Sequence, residues 1–488
     1  MKKLSVWFPW LVLMALFSLL MQWAWVGYII SDDFLYIEAA IRWMNDSGYR
    51  PTSHWQVRYP LLWPVGLVTQ LFGANEFSVA IADILYFALA VILLCWWLRK
   101  RVGDIPAFAV CFVFAFTPLT YELLSTVNVD IVAAFWLLAS AILFAESKES
   151  GRKQALLLLF SGVSVGIAFL SRGTAVGLLA GYGLFFLFGR YMPWQRYVIM
   201  GAGFFSALIA DLLIFTLQTG DPFHRYAVLF TAHHVPEASV GNLVTVPYLE
   251  PIAALFLNNE FGLLYFFAAG FLFLLYRSGT EVRSRYAPFL TVAALALVHF
   301  LVVGYGLGLR AMPRYYTFIT LVAAVMAAGF FALLWQRHTR KVAVMTASVF
   351  VAVSLLCIDV SNRDPVFSAR IYAEAVKQYP ARTVHSDART CRLGRYLLER
   401  EAGAELELPS VDDCAAPRSD GLILLSAGEA ATDGGQRIRF IPADRTLIGR
   451  AWSALGLNGI YRLPSRLVQA NDDLVLIDRS APSAPGEG

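Results

Sequence analysis

Charge is scarce in this chain. Only 15% of its 488 residues are Asp, Glu, Lys or Arg, against 58% hydrophobic. A water-soluble chain of this length needs far more polar surface to cover itself. The net charge of +4 is small and its cations are scattered between apolar blocks, which gives no case for a nucleic-acid partner. Cysteine is sparse too, five in all, with no metal-ligand spacing among them. The polar C-terminal part lacks a convincing glycine-rich phosphate loop, so nothing points to a nucleotide. No small-residue cleavage site closes the first apolar run, Leu4–Ile30, which follows Lys2 and Lys3. That run therefore reads as a retained span with the N-terminus in the cytoplasm.

Long apolar runs are abundant, and the mean hydropathy is +0.59. Crossing a bilayer core takes about 20 residues. Further blocks fall at Phe77–Leu98, Ile105–Leu119, Ile131–Ala145, Ala155–Leu170, Thr174–Phe188, Val198–Leu217, Ile252–Tyr276, Phe289–Tyr305, Tyr316–Trp335 and Val342–Ile358. This predicts about eleven spans, with Pro60–Gly73 and Glu250–Glu260 ambiguous. Alternate loops carry clusters such as Arg99-Lys100-Arg101, Arg152-Lys153 and Arg340-Lys341. The positive-inside rule places those loops in the cytoplasm of a cell whose inner membrane holds the chain. An odd span count then puts the C-terminal segment outside.

The composition shifts abruptly after Asp359. Short strand-like runs (Arg382–Ser386, Gly421–Leu425, Arg437–Ile441, Leu474–Ile477) and a helix pattern over Ala388–Glu401 predict a small α/β domain. The expected architecture is mainly α: a polytopic transmembrane helical bundle over residues 1–359, then an extracytoplasmic α/β domain over 360–480. The Pro-, Ser- and Gly-rich residues 481–488 make a disordered tail. Cys391 and Cys414 share the outer domain, where an oxidising compartment permits a disulfide. Cys95, Cys111 and Cys357 read as small apolar residues in spans.

Charges near membrane depth are costly, so those that recur on one side are functional candidates. Ser31-Asp32-Asp33, followed by the stripe Phe34, Ile37, Ile41 and Met44, predicts an N-capped amphipathic helix on the membrane surface. Val57-Arg58-Tyr59-Pro60-Leu61 brings a cation back to the bilayer beside a proline. Asp130 opens an otherwise apolar helix, and Ser171-Arg172-Gly173-Thr174 is a tight turn with one cation. The loop Thr219–Pro251 holds His224, Arg225 and the pair His233-His234, and is long enough for a lid or an acceptor loop. Adjacent histidines in a strand point to opposite sides and do not readily share a metal. Arg310 and Arg314 add two cations at an outer span start. Each signal also has a plain structural explanation, as a helix cap or an interfacial anchor. Together they place three acids and several arginines on one face, which suits a phosphorylated, lipid-linked substrate.

The order of these motifs resembles the GT-C superfamily, and within it the protein O-mannosyltransferase and aminoarabinose transferase branch. Asp32-Asp33-x-x-Tyr36 matches that branch's Asp-Glu pair followed by Tyr, with Asp for Glu. Val57-Arg58-Tyr59-Pro60-Leu61 is similar to its Glu-Lys-Pro-Pro-Leu stretch but lacks the acid and the first proline. Gly166-Ile167-Ala168-Phe169-Leu170-Ser171-Arg172-Gly173 is similar to Gly-x-Ala-Phe-Leu-Thr-Lys-Gly, with Arg for Lys. The likeness lies mainly within residues 1–190.

The resemblance implies transfer of a hexosyl or pentosyl group from a polyprenyl-phosphate donor to a lipid, glycan or protein acceptor of the cell envelope. Asp32 is then the expected general base, with Asp33 orienting the acceptor or a cation and Asp130 as a third catalytic acid. Arg58, helped by Arg172 and Arg314, is expected to hold the donor phosphate. Tyr36, Tyr59, His224 and Arg225 are candidates for acceptor or sugar binding. A divalent cation is the one cofactor left open, and Val57 stands where the branch has an acid that could ligate it. A carboxylate in a partly desolvated outer cavity suits a base, and fixed arginines suit a leaving phosphate. A flippase for a lipid-linked sugar is the alternative, but such transporters show paired inverted repeats, and none is evident here. A membrane sensor would explain residues 360–488 yet leave Asp32, Arg58 and Asp130 idle.

Overall fold

The computed structural model describes residues 2–29, 32–148, 151–188, 191–232, 249–307, 312–337, 340–361, 366–380, 382–402, 421–426, 436–441 and 473–479, with 446, 450, 451 and 454 as isolated positions. The chain divides into two compact units, Met1–Trp25 with Asp32–Ile358 and Val26–Ser31 with Asp359–Gly488.

The larger unit is helical because backbone polar groups within a bilayer must be satisfied inside their own segment. It comprises α1 (Lys2–Trp23), α2 (Asp32–Asn45), α3 (Tyr59–Phe72), α4 (Glu76–Val102), α5 (Asp104–Ala115), α6 (Pro118–Ser125), α7 (Val129–Ser147) and α8 (Gln154–Ser171). After these come α9 (Val176–Leu187), α10 (Trp194–Thr219), α11 (His224–Ala232), α12 (Glu250–Leu257), α13 (Leu264–Tyr276), α14 (Thr280–Leu301), α15 (Thr317–Arg337) and α16 (Arg340–Ser361). Among the described residues seven helices are long and apolar enough to cross a membrane: α4, α7, α8, α10, α14, α15 and α16. The pair α5–α6 makes an eighth crossing if its halves, bent by 70°, are one span. Three more apolar helices are shorter: Pro9–Trp23, Gly173–Leu187 and Leu264–Tyr276. The first apolar run ends earlier than its composition suggests, at Trp23, and Gly27 beyond it takes a φ of +73°. The ambiguous stretches become α3 and α12, of 14 and 8 residues, too short to cross.

Local features set how these helices start, bend and pack. Helix α2 packs on α3 through Tyr36, Ile37, Ala40 and Trp43. Of the stripe read from Phe34, Ile37, Ile41 and Met44, only Ile37 is fully buried, so the packed face is rotated from that stripe toward Tyr36, Ala40 and Trp43. Ser31, the expected cap, lies outside the described residues. The α5–α6 bend follows from Pro118, which supplies no N–H, while the Thr117 hydroxyl takes up the Val113 carbonyl at 2.8 Å. Helix α7 then starts from Asn128, whose side chain accepts from the Asp130 N–H at 2.8 Å. Lastly, α8 and α10 run in close contact. A Cβ on Gly162 would sit 1.9 Å from the Met200 carbonyl oxygen, so only glycine allows this approach. At the end of α8, Arg172 leaves the helix with extended φ/ψ of −152° and 128°, its N–H still bonded to the Ala168 carbonyl at 2.8 Å.

The smaller unit holds α17 (Phe367–Gln378), β1 (Val384–His385), α18 (Ala388–Ala402), β2 (Leu422–Ser426), β3 (Gln436–Ile441) and β4 (Leu474–Asp478). The sheet order is β1-β2-β4-β3, with β1 parallel to β2 and the other neighbours antiparallel. Strands β2 and β4 supply its buried apolar layer, and Arg382 grips Asp478 through two bonds of 2.7 and 2.6 Å. Cys391 is disulfide-bonded. Cys414 and the tail 481–488 lie outside the described residues.

Candidate active site

Helix α2 begins with two acids that differ in access. Asp33 is 4% exposed, whereas the Asp32 side chain keeps 30% of its surface open. Asp32 faces Arg314, 3.2 Å away, at the short turn Pro313–Tyr316 that leads into α15. A second acid–guanidinium pair lies nearby. Asp130, in the first turn of α7, is ion-paired with Arg172 at the end of α8. Tyr315 ties the two pairs together, with the Arg172 guanidinium 4.2 Å and that of Arg314 5.8 Å from its ring centre. Arg58, where the chain enters α3, donates to the Tyr36 hydroxyl and lies 5.6 Å from that ring.

Tyr36 is the common point. It is buried, and Arg58, Arg172, Arg314 and Asp32 are all within electrostatic reach of its hydroxyl. Segments far apart in sequence therefore deliver three guanidinium groups and two carboxylates to one place. Three like charges so close repel one another, and Arg172 feels both Arg58 and Arg314. Asp32 and Asp130 offset part of that repulsion, and the gathered guanidinium forks remain donors suited to an anion. Asp130 pairs with Arg172 rather than with Arg58, which turns to Tyr36 instead.

Tyr59, His224 and Arg225 lie elsewhere. The Arg225 guanidinium, 3% exposed as a residue, donates to the carbonyls of Val57 and Leu170, each at 2.5 Å, and lies 3.6 Å from Asp211 of α10. Tyr59 is buried, packs at a tilt against Trp63 with ring centres 5.0 Å apart, and also approaches Asp211. His224 bonds the Pro51 carbonyl at 2.8 Å. His233, His234 and Arg310 lie outside the described residues.

Sequence reading passed over several acids. Asp83 of α4 is fully buried and accepts from the Asn128 N–H at 2.5 Å, bracing the start of α7 below Asp130. Glu122 of α6 and Glu260 face each other, both within reach of Arg314, and the Glu260 carbonyl accepts from the Leu119 N–H at 2.8 Å. The signal was available, since an acid inside an apolar run is costly wherever it occurs. Among the described residues no three His, Cys, Asp or Glu side chains group in a way that could hold a metal.

Residues 60–215 match the family model described as dolichyl-phosphate-mannose-protein mannosyltransferase. Over 157 residues, 31% of this chain, the sequence is 29% identical to the undecaprenyl phosphate-alpha-4-amino-4-deoxy-L-arabinose arabinosyl transferase of Pseudomonas paraeruginosa. The enzyme of the same name from Pseudomonas aeruginosa matches to the same extent. The matched segment spans only 28% of these relatives' own length. Among solved structures, ArnT from Cupriavidus metallidurans in the apo state superimposes with a TM-score of 0.54 at 12% identity, covering 99% of this chain and 100% of that one. The same protein bound to undecaprenyl phosphate gives 0.53 at 13% identity, with both chains covered in full.

Proposed function

From the premise that this multi-pass membrane chain has the GT-C fold of the aminoarabinose transferase-like branch, we propose that it transfers a sugar from a polyprenyl-phosphate donor. The acceptor is a lipid, glycan or protein hydroxyl on the outer face of the cytoplasmic membrane, with the N-terminus in the cytoplasm and the C-terminal unit outside. The observation that carries this reading is the gathering of Arg58, Arg172 and Arg314 around Tyr36, beside the accessible carboxylate of Asp32.

In the reaction the acceptor oxygen attacks the anomeric carbon while Asp32 takes the hydroxyl proton. The bond between that carbon and the phosphate oxygen breaks, its electron pair stays with the oxygen, and polyprenyl phosphate departs. Charge grows on the phosphate as the bond breaks, and preformed donors at that spot are worth several kcal/mol in total. Arg314 links the two tasks. It pairs with Asp32 in this structure, and a donor phosphate drawing the guanidinium toward itself would leave Asp32 free to accept a proton. The more enclosed Asp130–Arg172 pair holds its arginine in place.

Purified full-length protein should bind undecaprenyl phosphate and consume a synthetic polyprenyl-phosphate pentose or hexose in the presence of a cell-envelope lipid fraction. Absence of any binding to polyprenyl phosphate would refute the reading.

A further inference from the structure

Arg225 holds a place that a substrate-binding residue does not need. Its side chain is almost wholly buried, and its two terminal nitrogens are spent on backbone. One bonds the Val57 carbonyl, immediately before Arg58. The other bonds the Leu170 carbonyl, two residues before Arg172. A single planar fork thus bridges two segments 113 residues apart, each of which presents an arginine to the same locus. The fork is oriented from behind by Asp211, a fully buried acid, and the Tyr59 and Tyr226 side chains approach the same carboxylate.

We infer that Arg225, oriented by Asp211, is a positioning residue that fixes the spacing between Arg58 and Arg172 and so sets the affinity for the donor's phosphate. The inference rests on the proposed function, because it takes those two arginines as phosphate ligands. Buried carbonyls need donors, and Val57 and Leu170 are 0% and 1% exposed. Losing the shared donor would let the Val57–Arg58 turn and the Arg172 turn separate. Guanidinium groups that repel one another would then drift apart.

The test measures binding of undecaprenyl phosphate alone, without sugar, to purified full-length variants. Arg225→Ala strands a buried Asp211 at a cost to folding, and two other variants avoid that cost. Arg225→Lys keeps a cation beside Asp211 but loses the fork, and the double variant Arg225→Met with Asp211→Leu removes both charges. Each should bind about 10-fold more weakly, with the donor KM rising while kcat at saturating donor falls less than about 3-fold, since Asp32 is untouched. In an Arg58→Ala, Arg172→Ala background the same changes should have no further effect, which distinguishes positioning from general destabilisation. Parent-like binding by folded Arg225→Lys overturns the inference, and so does an undiminished loss in the arginine-free background. If the parent binds no polyprenyl phosphate, or Arg58→Ala binds as the parent does, the fault lies in the proposed function instead.

Discussion

Replacing Asp32 by Asn separates a catalytic carboxylate from a structural one, because the two roles differ by orders of magnitude. Asp32 lies in the first turn of α2, where losing an acid's interaction with the helix dipole costs about 0.3–1 kcal/mol. The ion pair to Arg314 is partly open to solvent, 30% on the acid and 28% on the arginine, and pairs of that kind are worth about 0–1 kcal/mol. Folding should therefore survive, with thermal unfolding lowered by about 4 °C at most for a unit of this size. The rate should not survive. A positioned base contributes roughly 10²–10⁴-fold, about 2.7–5.5 kcal/mol of barrier. Donor binding should be unchanged or tighter, because Arg314 is released from its carboxylate. The assay follows release of polyprenyl phosphate from a synthetic sugar donor at saturating donor, with a melting curve on the same preparation. A variant that melts like the parent and keeps more than about a tenth of its turnover would refute the assignment of Asp32 as base and leave it only a helix-terminal role.

Arg58→Lys should weaken binding of undecaprenyl phosphate about 10-fold and Arg58→Ala by more, because an ammonium cannot reproduce the planar fork; an interfacial anchor would tolerate Lys, and equal binding by all three proteins would show that. Asp130→Asn frees a buried arginine from its partner, so the donor KM should rise several-fold with melting lowered by about 3 kcal/mol equivalents or more, in contrast to the kcat effect at Asp32. Gly162→Val drives a side chain into the Met200 carbonyl, and a loss of about 1–3 kcal/mol in unfolding measurements is expected; unchanged stability would mean α8 and α10 are further apart than described. A cysteine at Ala430 should react with an impermeant thiol reagent in intact cells and one at Ser150 should not, while the reverse pattern would invert the topology.

The helical bundle was legible in the sequence because bilayer thickness imposes its own period. The blocks at Phe77, Ile131, Ala155, Val198, Tyr316 and Val342 each return as a membrane-length helix. The short strands around residues 384, 422, 437 and 475 were legible too, as apolar runs between turn clusters. What failed was the fine placement of faces. The buried side of α2 depends on where α3 returns, and no local pattern encodes that. Arg225 reads as a cation in an outer loop, and only the fold shows its guanidinium occupied by Val57 and Leu170. Glu122 is hard to single out in the sequence because it sits in a short, Pro-initiated helix between two apolar blocks, and Glu260 because it closes an ambiguous apolar stretch.

The two acid–guanidinium pairs are alike in kind and unequal in surroundings, and that inequality assigns their roles. In the Asp130–Arg172 pair the side chains are 5% and 13% exposed, whereas in the Asp32–Arg314 pair they are 30% and 28%. Separating the first leaves a carboxylate with little water to replace its partner, at a cost of about 3–5 kcal/mol. Separating the second exposes two groups that water already reaches, at about 0–1 kcal/mol. A lipid phosphate arriving at this locus can therefore recruit Arg314 at small cost but must accept Arg172 where it stands. The rigid pair defines the position of the phosphate, and the loose pair exchanges one anion for another. Under the proposed function the carboxylate released by that exchange would be Asp32, and deprotonation of the acceptor would be favoured only once a donor is bound. Such coupling would protect the donor from premature loss of its sugar to water, because the proposed base would stay paired with Arg314 until the phosphate drew it off.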